Sequence, residues 1–153
     1  MKLYNKKRLK ALIIDLVFIA IVWCVLFALH ILIFKNGTKY DTNVGLALFL
    51  SLFLCKDNIN GQSIGKRLYK LRVVDNYYEE LNTSILIGRN LFVFFAPIEL
   101  ILLIYYDKRI GDKMLKTKVV LIEKTDKITF KNVLIYLLSF FIVALLCLPL
   151  GGI

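Results

Sequence analysis

Asp15 lies inside an apolar run that begins at Ala11 and ends at Phe34. An ionisable group in such a run is costly, so it pairs with a cation or marks an ion or proton path. Arg8 precedes it by seven residues, which on an α-helix returns to nearly the same face. Two readings fit these residues: a carboxylate paired with a snorkelling Arg or Lys, or one that binds cations or relays protons. His30, farther along the run, either continues a proton relay or sits at the membrane interface. Arg89 and Glu99 occupy a second apolar segment, with Pro97 between them. A straight helix would hold their heads about 15 Å apart. A bend at Pro97 would bring them together or send each to another partner, Asp15 for Arg89.

Other patterns fail on chemistry. Gly61-Gln62-Ser63-Ile64-Gly65-Lys66-Arg67 looks like a phosphate loop, but only three residues separate its glycines. Arg67 also stands where a Ser or Thr should hold magnesium. Tyr106-Asp107 and Gly111-Asp112 faintly suggest an intramembrane aspartyl protease, yet the two aspartates share one short basic segment. The cysteines Cys24, Cys55 and Cys147 lie in or beside apolar runs without zinc or disulfide spacing. No nucleophile set is legible, so a non-enzyme with no catalytic residue, cofactor or metal is expected.

These residues need a membrane to position them. Hydrophobic residues make up 59% of the 153, above the roughly 45–50% of soluble chains. They are grouped in blocks, so lipid is the expected solvent. The net charge of +10 comes from 21 Lys and Arg against 11 Asp and Glu. Because the basic residues flank apolar runs, they point to anionic headgroups and the positive-inside bias rather than nucleic acid. Lys6, Lys7, Arg8 and Lys10 before the first run resemble a signal peptide. Ala11–Phe34 is too long for a signal core, however, and no cleavage site follows. It is expected to be an uncleaved first membrane helix of about 36 Å.

Asn43–Cys55 is shorter, and predicts a span only if Tyr40–Thr42 and residues after Cys55 extend it. Leu71–Asp75 alternates like a strand, and Thr117–Ile122 is a second β-branched stretch. Thr83 or Ser84 is placed to cap a helix over Ile85–Tyr106, and Asn132–Leu148 is a final apolar run. If Ile85–Tyr106 crosses the membrane, the two sides hold 10 Lys and Arg each. If it bends at Pro97 and returns, the sides hold 18 and 2, as the positive-inside rule favours. That arrangement also places both strand-like stretches on one side, where they can pair.

Arg8-Leu9-Lys10-Ala11-Leu12-Ile13-Ile14-Asp15 resembles the opening helix of the RDD family, small bacterial membrane proteins named for one arginine and two aspartates. Gly61-Gln62-Ser63-Ile64-Gly65-Lys66 with Leu71 and Val73 is similar to the family's Gly-Gln-Thr-x-Gly-Lys-x-x-x-x-Leu-x-Val pattern. Arg89-Asn90 resembles its Arg-Asn pair. Asp112 to Val120 resembles the closing Asp-x-x-x-Gly-Thr-x-Val-Val, with Lys116 where the pattern has Gly. The apolar-His pair that often precedes the second Asp is absent here. The resemblance covers about residues 6–123, with the last apolar helix (about 132–150) outside it, and implies transport of ions or small ligands.

The expected fold is therefore one all-α membrane domain over 1–153. It has about three spanning helices, a Pro97-bent re-entrant or interfacial segment, and a small cytoplasmic strand pairing. It is expected in the bacterial plasma (inner) membrane, multi-pass, with the N-terminus cytoplasmic. The expected polar path or intramembrane pairing comprises Arg8, Asp15, Arg89, Glu99 and Asp112, with Gly61, Gln62, Gly65, Lys66 and Arg67 as a cytoplasmic motif. The expected partners are anionic lipid and further copies of the chain or a larger membrane complex, not nucleic acid. A non-catalytic assembly or interaction protein, docking through its basic face, is the rival to transport.

Overall fold

The computed structural model describes residues 3–34, 39–92, 110–123, 125 and 127–147. Helix α1 runs Leu3–Phe34 and α2 Lys39–Cys55. They are followed by α3 (Ile64–Leu68), β1 (Leu71–Asp75), α4 (Thr83–Leu91), α5 (Ile110–Met114), β2 (Thr117–Leu121) and α6 (Phe130–Cys147). Pro97 and Glu99 lie outside the described residues, as does most of the segment expected to bend and return.

α1 starts eight residues before the apolar run. Lys, Arg and Leu are good helix formers, so the basic stretch continues the helix instead of preceding it. α2 also begins ahead of its apolar residues, at Lys39, and stops at Cys55. There Asn60 and Gly61, both in left-handed conformations, turn the chain back. α2 packs between α1 and α6. Ala47, Leu50, Leu54 and Cys55 meet Val143 and Cys147 on one side. Leu52 and Phe53 meet Ile19, Val22 and Trp23 on the other.

Among the described residues, two helices, Asn5–Ile33 within α1 and α6, are long and apolar enough to cross a membrane, while Thr42–Cys55 is shorter. The core helix of a soluble protein with such composition would be covered. Here only 6% of the most apolar stretch of α1 and 17% of that of α6 are buried. Leu32 and Leu146 are each 70% exposed. Apolar side chains that face outward all along a helix are matched by lipid.

β1 and β2 pair antiparallel, with Val73 opposite Val119, Leu71 opposite Leu121 and Asp75 opposite Thr117. This is the strand pairing expected from the β-branched stretches. Leu71, Val73 and Val119 bury one face of the sheet against Ala11 of α1 and Leu86 of α4. The small sheet is thus seated on the first turns of the long helix. α4 begins after Asn82, which takes the N-cap position without a side-chain cap bond. Thr83 and Ser84, the expected caps, lie one residue or more inside the helix.

Candidate functional site

The turn after α2 carries Lys56 and Asp57, both buried. Asp57 is 0% exposed and accepts from Lys66 Nζ and, at 3.0 Å, from Arg89 Nη1. Arg89, on α4, also donates from Nε to Asp112 Oδ1 at 2.5 Å. Asp112, on α5, accepts from Arg8 Nη2 at 2.8 Å and from Thr117 Oγ1 at 3.3 Å. A continuous line of charges therefore runs Arg8–Asp112–Arg89–Asp57–Lys66 through α1, α5, α4, the α2 turn and α3. Buried ions are tolerated only when paired and hydrogen-bonded in this way. Lys56 Nζ donates to Asn90 Oδ1 at 3.0 Å and lies 4.0 Å from the centre of the Phe53 ring. Asn90 in turn donates to the Leu54 carbonyl, satisfying an open group at the end of α2.

Burial pushes the Asp57 carboxyl up, but Lys66, Lys56 and Arg89 together outweigh it. The carboxyl is held well below the usual carboxylate range, and Asp57 stays ionised.

Asp15 belongs to a different contact. Its carboxylate accepts from Ser63 Oγ at 2.5 Å and from the Gly65 backbone N–H at 2.7 Å. Ser63 is the N-cap of α3, and the same hydroxyl accepts from Lys66 N at 3.3 Å. One hydroxyl therefore serves as donor to α1 and as acceptor for α3. A Cβ on Gly65 would overlap the Ala11 carbonyl oxygen. Only glycine lets the start of α3 press on the α1 backbone at this point.

The expected pairing of Asp15 with Arg8 or Arg89 is not what forms, since both guanidinium groups reach Asp112. Arg8 does share a helix face with Asp15, but two turns of rise, about 10 Å, separate them. Of the glycine-lysine motif, Gln62 Nε2 donates to the Leu71 carbonyl at 2.9 Å, and Arg67 Nη2 donates to the Ile59 carbonyl at 3.2 Å. Gly61 accepts from Val73 N, and its φ of 66° makes the turn. Sequence reasoning missed Asp57 and Lys56 as members of the site. Their signal was a pair of opposite charges directly abutting an apolar run. His30 lies about 22 Å up α1 from Asp15, and the network does not include it. Among the described residues, no group of three or more His, Cys, Asp and Glu is placed to hold a metal ion.

Two cavities meet at Asp15. One, of about 10 Å³, is lined by Arg8, Asp15, Lys56, Lys66 and Arg89 among others, room for about one water. The other, of about 290 Å³, lies between α1, α2, α3 and the start of α6. Its walls are apolar apart from Asp15, Lys56, Gln62, Ser63, Arg67 and Tyr136.

The model of the RDD family matches residues 6–153. The chain belongs to the RDD family. The match runs through the final apolar helix and so covers nearly the whole RDD chain. No curated protein and no solved structure matches it. Family membership and the outward apolar faces of α1 and α6 together make this a membrane protein. Of the residues read as the RDD arginine and aspartates, Arg8 and Asp112 join each other directly, while Asp15 anchors the glycine-lysine motif.

Proposed function

We propose that this is a transport-related, non-enzymatic, multi-pass protein of the bacterial plasma membrane with a cytoplasmic N-terminus. α2 is the third crossing, and Asp15 is the group at which a proton, cation or small ligand is exchanged. One observation carries this reading: Asp15 lines both the 290 Å³ pocket and the small cavity beside the charge network. A carboxylate shared by two cavities can accept a proton or cation from one and lose it to the other. The basic side would face anionic headgroups, and copies of the chain would assemble side by side. The test is flux in vesicles reconstituted with parent protein or Asp15→Asn. Asparagine keeps the shape, its oxygen accepting from the Gly65 N–H and its NH2 donating to Ser63 Oγ, but cannot exchange a proton or hold a cation. Cation-dependent proton or ligand flux should vanish while abundance and oligomer size are retained. Equal flux in both proteins would reject the reading.

The buried line Arg8–Asp112–Arg89–Asp57–Lys66 holds the chain's own helices together, and supports a second reading, a non-catalytic assembly or interaction protein that docks partners or anionic lipid through its basic face. In that case the parent protein would show no flux and would still bind anionic vesicles or a partner.

A further inference from the structure

The 290 Å³ pocket has a two-part chemistry that transport at Asp15 does not use. Its apolar wall includes Phe18, Val22, Leu52 and Ile59. Its polar lining includes two cations, Lys56 and Arg67, and two acceptors, Asp15 and Gln62. Gln62 is 1% exposed. Its Nε2 is engaged by the Leu71 carbonyl, which fixes the amide's orientation, and its Oε1 has no hydrogen-bond partner. A buried amide oxygen left this way costs stability unless something in the pocket donates to it. On the outside, Phe18 is 44% exposed and leads onto Ile21, Val25 and Leu29. These recur at helical spacing along one outward face of α1.

We propose that this pocket binds the headgroup of a phospholipid-class amphiphile. The phosphoryl group lies against Arg67 and Lys56, and a headgroup hydroxyl or ammonium donates toward Gln62 Oε1 and Asp15. The acyl chain leaves over Phe18 and follows the Ile21–Val25–Leu29 face. The planar guanidinium suits a phosphoryl group in two-pronged contact. The volume takes a headgroup and the first part of a chain, the rest remaining in the bilayer.

The site is tested on the full chain, purified in detergent and delipidated, by titration with three probes. These are phosphatidylglycerol, diacylglycerol of the same chains, and free glycerol phosphate. Phosphatidylglycerol should bind saturably, one per chain, and diacylglycerol about tenfold or more weaker, since a charge-assisted contact is lost. Glycerol phosphate should not compete at matched concentration. Arg67→Gln should weaken phosphatidylglycerol about tenfold without changing diacylglycerol. Val22→Trp, which fills the apolar wall, should remove both, with helical content retained in circular dichroism. The proposal is overturned if diacylglycerol binds as well as phosphatidylglycerol, if glycerol phosphate competes as well as the lipid, or if Arg67→Gln binds like the parent. The measurement involves no flux. Lipid binding without transport would refute only the exchange role of Asp15, and transport without lipid binding only this site.

Discussion

Arg8 and Asp112 are 104 residues apart in the chain, and Arg8 Nη2 lies 2.8 Å from Asp112 Oδ2. The contact ties the first turns of α1 to the short helix that leads into β2. Asp112 is shared, because Arg89 Nε reaches its other oxygen. The two arginines are therefore unequal in consequence.

Asp112→Asn removes the carboxylate that Arg8 and Arg89 share, leaving Arg89 its contact with Asp57, and should lower stability by about 3–5 kcal/mol. Arg8→Gln should cost less, because Arg89 still neutralises the carboxylate. Combining the two changes should recover part of the Asp112→Asn loss. Thermal unfolding in detergent would check the order, and Arg8→Gln at least as damaging as Asp112→Asn would contradict it.

Gly65→Ala places a methyl against the Ala11 carbonyl oxygen and the Asp15 carboxylate. Separation of α3 from α1 should follow, at roughly 1–3 kcal/mol, as for other overpacked contacts. Ser63→Ala should cost about 1–2 kcal/mol by removing a cap and the hydroxyl bound to Asp15. Midpoints of denaturant unfolding would measure both, and a neutral Gly65→Ala would mean that the contact with α1 is dispensable.

Lys116 has a φ of 51°, a left-handed conformation that disfavours any residue with a Cβ. Lys116→Gly should raise stability by about 1 kcal/mol by relieving that conformation. Lys116→Ala should bring no comparable gain. A melting temperature no higher in Lys116→Gly than in the parent would count against a left-handed backbone here.

The depressed Asp57 carboxyl sets the direction of acid sensitivity. Its folded-state pKa is lowered, so its contribution is fully present above the unfolded value of about 3.9. It is lost as pH falls from there toward the lower folded value. Asp57→Asn should therefore narrow its gap to the parent as pH drops below about 4. Unfolding midpoints between neutral pH and pH 3 would show it, and a gap independent of pH would remove Asp57 from the account.

The strand Leu71–Asp75 was legible with its bounds from the Leu71-Arg72-Val73 alternation and the Val73-Val74 pair, although both valines are buried and burial there departs from strict period two. The two long apolar helices were legible from run length alone. Partner choice was not. Spacing puts Arg8 on the Asp15 face, but nothing local says that Arg8 reaches Asp112 or that Asp15 is met by Ser63 and Gly65. α3, five residues long, is shorter than any periodic signal and exists through its Ser63 cap and its seat on α1. Asp57 went unnoticed because it looks like the polar edge of α2, whereas folding buries it completely. Lys116 was visible as a departure from the family's Gly, and its left-handed backbone explains why the pattern has Gly there.

The β1–β2 register also has a consequence for sidedness. Asp75 and Thr117 are paired neighbours, so the chain that leaves one must come back to the other. Two residues joined in one sheet share one compartment. Thr117 therefore cannot be carried to the far side of a bilayer while it stays paired with Asp75. An insertion or fusion that sent the two to opposite sides would have to pull the strands apart.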